Sequence, residues 1–226
     1  MSEIDFRRTV AKRAIGYTPA AYMQVVGIVQ AIALGYLAVL FANAVFEYGF
    51  VPPDAPTWWI RNATAFLIIV TVWHVNTQNV MAIMRHHTWR DTFVPFAFAA
   101  PEYALIVACE PERDLHEWAW SVALLSPIAA FALWDLWIEI ASNKSTNPEH
   151  NRKVFAATKW YFRSVWAYVL ATGAVAGLFG WFAKQPGAGF PASQVAMATI
   201  IFMLILGFCA FHSIFFWRRV RPRDHH

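Results

Sequence analysis

The side chains able to do chemistry in this chain are few, and most sit inside long apolar runs. In the stretch VWHVNTQNV, His74 and Gln78 are four apart and share one helix face with Thr71 and Met81. Asn76 and Asn79 line a neighbouring strip. Such a group cannot face hydrocarbon without leaving donors unpaired, so it must meet protein or water. A closed hydrogen-bond cluster between helices and a polar pathway or ligand pocket are the two readings. Glu102 is the plainest intramembrane carboxyl: it is expected in the middle of the third helix, near the bilayer midplane, and it directly follows Pro101. A charge at that depth is costly, so Glu102 reads as a proton or cation site, or as a protonated acid bonded to a neighbouring helix.

Asp135 and Glu139 share a face of the fourth helix, between and beside Trp134 and Trp137, and Arg163 has the right depth to pair with either. His212 lies about two turns from the basic end WRRVRPR. His74, Gln78, Asp135, Glu139, Arg163 and His212 therefore converge on one half of the bilayer from four helices. Near the other surface, CEPERDLHEW gathers Glu110, Glu112, Asp114, His116 and Glu117 around one arginine. An acidic mouth raises the local cation concentration; a solvated loop that excludes positive charge has the same composition.

These residues need elements to hold them, and composition says which kind. Of 226 residues 58% are hydrophobic and 14% charged, with mean hydropathy +0.40, against roughly 25% charged in a soluble domain. The class expected is an all-α integral membrane protein, a single domain over 1–226, with short loops and no soluble mass. Six segments approach the length of about 20 apolar residues that a bilayer demands: roughly 20–46, 59–84, 92–109, 118–140, 160–183 and 192–217. The third is shortest and holds Pro95 and Pro101. With both termini cytoplasmic, all of the 18 basic residues except Arg61, Arg113 and Lys184 fall inside, as the positive-inside rule requires. The cytoplasmic (inner) membrane is the expected location. The basic balance then reflects topology and anionic lipid, and no nucleic-acid partner is expected.

Local punctuation marks several helix starts. Thr18–Pro19 reads as N-cap and first position of helix 1. Asn147–Pro148 opens helix 5 well before its apolar part, and Pro191 opens helix 6. Gly27, Ala31, Gly35, Ala38 and Ala42 on helix 1, and Gly173, Gly177 and Gly180 on helix 5, are expected at close helix contacts within the chain, with a contact between subunits as the alternative. Cys109 and Cys209 lie at depths too different for a disulfide.

Four functions compete. Cation or proton movement by a channel or transporter accounts for the mouth, Glu102 and the polar cluster together; because six helices enclose little space, a pore is expected only on an oligomer axis, and a homo-oligomer is the expected state. A redox subunit would use His74 and His212 as axial ligands of haem b. Counted from Arg85 and Arg218, those histidines differ in depth by several ångströms, and no cofactor is otherwise expected. A membrane metalloenzyme would use RHHTWRD, with His86, His87 and Asp91, but di-iron enzymes of the desaturase kind need several histidine boxes. No zinc spacing, phosphate loop or nucleophile elbow is present, so an enzyme is the less favoured class. A scaffold or anchoring subunit with partner membrane subunits fits the lack of soluble mass.

The run FLIIVTVWHVNTQNVMAIMRHHTWRDTFVPF resembles, in layout, the second and third helices of the bacterial relatives of the lysosomal potassium channel. Those have six helices with both ends inside, and a tryptophan followed by polar residues, a basic turn and a proline-containing helix. Their first helix carries an arginine and a phenylalanine-serine-aspartate signature. Here that region reads MQVVGIVQAIALGYLAVLF and lacks both.

Overall fold

The computed structural model describes residues 3–52, 54–82, 89–141, 148–184 and 191–219. They form six helices: α1 Glu3–Tyr48, α2 Ala55–Ala82, α3 Trp89–Val107, α4 Leu115–Ala141, α5 Pro148–Ala183 and α6 Pro191–Arg219. Four stretches are long and apolar enough to cross a membrane: Tyr22–Tyr48, Leu115–Ile138, Phe162–Ala183 and Ser193–Ile214. The apolar part of α3, Phe93–Val107, is shorter than a span. α2 also falls short of that test, for it carries Arg61, Asn62, His74 and Asn76. An all-helical bundle consistent with a membrane-embedded protein is the result.

Helix starts follow local chemistry in three places and depart from it in one. α5 and α6 begin at Pro148 and Pro191, where a missing N–H costs nothing. Asp54 accepts the first bond of α2 through its carbonyl (Trp58 N, 3.0 Å), while its carboxylate receives the Thr57 hydroxyl at 3.1 Å. α1, however, does not start at Thr18–Pro19. It runs unbroken from Glu3, because the preceding EIDFRRTVAKRAIGY is itself rich in helix formers and continues through the cap signature. α1 stops at Gly49, whose φ of 70° suits a residue without a Cβ and whose N–H closes on Val45 O at 2.9 Å.

Side-chain pairs fix how the helices run. Phe41 meets Trp58 while Tyr22 meets Asn76, so α1 and α2 are antiparallel. Gly180 lies on Trp120 and Gly173 on Ser126, so α4 and α5 are antiparallel too. Thr71 with Cys209 and His74 with His212 step in the same direction, making α2 and α6 parallel. Gln30 with Glu102, then Tyr48 with Glu112 in the turn that follows α3, step in the same direction and make α1 and α3 parallel. The neighbour order α1–α2–α6–α5–α4–α3, returning to α1, closes a ring. Residues 49–52 and 108–114 lie at one end, called the loop end below. The opposite end holds the start of α1 and the finish of α6.

The apolar core, including Ile69, Leu105, Ile106, Trp118, Val122, Phe179 and Ile201, fills the loop half of the ring. A smaller cluster of Leu133, Leu136, Phe162 and Val165 ties α4 to α5 in the other half. The glycines divide cleanly. Those of α5 meet α4 as expected: a Cβ at Gly173 would overlap Ser126, and one at Gly180 would sit 2.9 Å from the Trp120 ring. Gly27 and Gly35 have nothing within 4 Å, and Ala31, Gly35, Ala38 and Ala42 are exposed. The small-residue stripe of α1 therefore faces outward, not into the chain.

This division is testable by thermal unfolding in detergent. Gly173→Val should cost about 1–3 kcal/mol through overpacking, since Ser126 is held in place by its bond to Val169 O at 2.9 Å. Gly35→Val should leave the midpoint unchanged or raise it.

Candidate functional site

A cavity of about 130 Å³ lies on the axis of the ring, and all six helices contribute to its wall. Its polar groups are Tyr22 of α1, Thr71 and Asn76 of α2 and Asp135 of α4; Phe98, Val169 and Phe208 supply apolar faces. A second space of about 110 Å³, walled by Ile68, Val122, Ser126, Gly173 and Ile205, adjoins it toward the loop end. The two share Thr71, Val72, Phe98, Ala129, Val169 and Phe208. Beyond them the apolar core closes the axis.

The polar strips of α2 are each answered by another helix. Asn76 accepts the Tyr22 hydroxyl at 3.2 Å and donates to Val72 O at 2.8 Å. Thr71 and the Cys209 thiol are 2.8 Å apart. Thr77 bonds back to Trp73 O at 2.8 Å. The side chain of Gln78 lies outside the described residues, as do His86, His87 and the side chains of Asp91 and Glu139.

His74 and His212 are level with each other, contrary to the depth difference counted from the basic ends. Because α2 and α6 run parallel in register, their rings meet edge to face with centroids 5.5 Å apart. Phe208 stacks on the other side of His212 at 5.9 Å. Two imidazoles in direct contact leave no slot between them for a macrocycle, so the residues do not fit a haem in this arrangement. Among the described residues, no group of three metal-ligating side chains occurs.

Glu102 is wholly buried, in the last two turns of α3 rather than at its middle. Its partner is Gln30 of α1, 3% exposed, whose Nε2 donates to both carboxyl oxygens at 3.3 and 3.2 Å. The amide oxygen of Gln30 is buried and has no partner among the described residues. Phe98, one turn along α3 from Glu102, belongs to the cavity wall. An ionisable group thus sits one helical turn from a residue of the cavity wall, without lining the cavity itself, and among the described residues the Gln30 amide alone holds it.

Asp135 and Arg163 do not come together. Asp135 faces the axis, whereas Arg163 is exposed and joins Trp134, Trp137, Phe162 and Trp166 around an outer pocket. Of the acidic loop, Arg113 reaches Glu110 at 3.3 Å and Glu117 at 3.6 Å, Asp114 lies 3.8 Å from His116, and Glu112 accepts the Tyr48 hydroxyl at 3.0 Å. This is a loop largely paired with itself.

Gln30 and Arg61 are the buried polar residues joining different elements whose burial the sequence did not reveal. Arg61 is 1% exposed, and its Nη1 donates to Ala108 O at 3.0 Å and Arg113 O at 2.9 Å. Ala108 directly follows α3, where a helix leaves acceptors unsatisfied, and Arg113 lies in the turn just before α4. Arg61 Nε and Trp118 Nε1 are buried donors without a partner among the described residues.

The chain matches no family model, no curated protein and no solved structure. The likeness to potassium-channel relatives accordingly rests on layout alone.

Arg61→Met should strand both carbonyls and lower stability by about 3 kcal/mol, read as a fall in the detergent melting midpoint with unchanged helical circular dichroism. Arg61→Lys, which keeps the charge but lacks the forked donor set, should fall between.

Proposed function

We propose that this protein is a multi-pass transporter of the cytoplasmic membrane that moves protons, or a small cation together with protons, and that Glu102 is the proton-carrying group. The observation behind this reading is the enclosed carboxyl of Glu102, partnered by the Gln30 amide alone. A carboxylate placed among apolar side chains without a counter-charge is expensive to keep for stability, and such groups mark ion and proton paths.

The pair can switch hydrogen-bonding state without leaving its site. When Glu102 is ionised, the Gln30 N–H groups stabilise the charge. When it is protonated, its O–H can donate to Gln30 Oε1 once the amide turns, which gives that orphaned oxygen a partner. Gain and loss of the proton thus change the bond that joins α1 to α3. The axial cavity supplies a place for cargo one helical turn along α3 from this pair, with Tyr22, Asn76 and Asp135 as its polar lining. An apolar core above it favours a carrier, in which the ring must rearrange, over an open pore. The bundle encloses this space within one chain, so a homo-oligomer or partner subunits are not needed to build the site.

Orientation follows from charge: both termini cytoplasmic, which puts the loop end and its acidic residues outside. In this arrangement α2 and α3 complete six spans, and the bundle compensates for their polar residues.

The test is flux into liposomes, followed with a pH-sensitive dye under imposed proton, sodium or potassium gradients. Wild type should acidify or alkalinise the lumen, and Glu102→Gln should reduce this at least tenfold while eluting normally on gel filtration. A well-folded Glu102→Gln protein with full proton flux overturns the role of Glu102. Wild type without flux under any gradient would instead favour an anchoring subunit.

A further inference from the structure

Arg163 stands in an unusual position for a membrane-boundary arginine. It is exposed, and no ion pair holds it among the described residues, although Asp135 lies on the adjacent helix. Around it, Trp134 and Trp137 of α4 and Phe162 and Trp166 of α5 wall an open pocket of about 260 Å³. Trp134 is 52% exposed, so this pocket opens sideways, away from the axis. Its depth is set independently by the apolar spans. The α4 span ends at Ile138 and the α5 span begins at Phe162, so the pocket straddles the level where hydrocarbon gives way to headgroups.

We infer that this pocket binds the headgroup of an anionic glycerophospholipid, with the Arg163 guanidinium on the phosphate and the tryptophans against the glycerol and upper acyl chains. Three features of the pocket select that occupant. The guanidinium is a planar fork that matches two phosphate oxygens, and no carboxylate among the described residues pairs with it. The remaining wall is aromatic and apolar, which suits a molecule with a hydrocarbon part and not a free anion. Indole rings at this depth are at home in the interface. The same end of α5 carries Arg152, Lys153 and Lys159 in sequence, a charge pattern that raises the local concentration of anionic lipid. The site is independent of Glu102 and of any transport activity.

The experiment is a thermal-shift titration of the purified full-length protein in neutral detergent. The probes are dioctanoyl-phosphatidylglycerol, dioctanoyl-phosphatidylcholine and sn-glycerol 3-phosphate. Wild type should bind the phosphatidylglycerol about fivefold more tightly than the phosphatidylcholine, the effect of one basic residue facing an anionic headgroup. Glycerol phosphate should produce no shift. Arg163→Gln should erase the preference, and Arg163→Lys should keep part of it. Both variants should match wild type in melting midpoint without lipid, since Arg163 is exposed and has no ion pair among the described residues. An undiminished preference in Arg163→Gln overturns the site. Equal stabilisation by glycerol phosphate overturns the lipid as its occupant and leaves a soluble phosphate in its place.

Discussion

Helix backbones satisfy their own hydrogen bonds, so in a bundle of this composition the order between helices has to come from packing and from the few side chains that cannot satisfy themselves. Asn62, Thr64 and Ser121 bond back to carbonyls of their own helices; others are answered from a different helix, and those answers fix the ring. Gln30 with Glu102 sets α1 parallel to α3. Tyr22 with Asn76 sets α1 against α2. Thr71 with Cys209 sets the register of α2 on α6, and the His74–His212 contact follows three residues later. At the loop end, Arg61 binds the chain leaving α3 to the start of α2. Shape complementarity then joins α4 to α5, where glycine allows Trp120 and Ser126 to approach the α5 backbone. Polar answers choose which helices meet and small residues decide how closely.

That division explains what could be read from the sequence. Helix number, the proline starts of α5 and α6 and the burial of Glu102 were legible, because apolar length, a fixed φ and an isolated charge are local properties. Azimuth was not. Asp135 and Arg163 share a depth, which made them look like a pair, but one faces the axis and the other the outside of the ring. Gln24, Gln30 and Asn43 look alike within an apolar helix, yet Gln24 and Asn43 are exposed and Gln30 alone of the three is enclosed. Nothing in residue type marks the difference. The glycines of α1 and α5 have similar spacings too, and one set packs while the other faces outward. At Thr18–Pro19 a valid cap signature was overridden by helix-forming residues before it.

The histidines show how strongly register acts. Distances counted along the chain from basic residues put His74 and His212 at different levels. The hydrogen bond between Thr71 and Cys209 brings them level, one turn further on. A ring pair in contact and stacked on Phe208 ties α2 to α6 as packing does, and leaves no gap into which a cofactor fits.

The placement of Glu102 then bears on how movement could be coupled to a proton. Its bond to Gln30 is the only hydrogen bond between α1 and α3 within the buried part of the ring among the described residues. Toward the outside of the ring the two helices are also joined by Tyr36 and Tyr103, whose rings stack and whose hydroxyls interact, and elsewhere by apolar packing. A change in the charge of Glu102 therefore falls on one interface, not on the whole bundle. α1 also contributes Tyr22 to the cavity wall, and α3 contributes Val94 and Phe98. A shift between these two helices alters the cavity directly, with no long chain of intermediates. α4 and α5, locked together through Gly173 and Gly180, are the natural fixed wall against which such a shift would open or close the space. Coupling of this kind requires an element with two arrangements that the proton and the cargo both bias. The α1–α3 contact meets the structural half of that requirement, since its one buried hydrogen bond has an alternative form in the unused Gln30 oxygen.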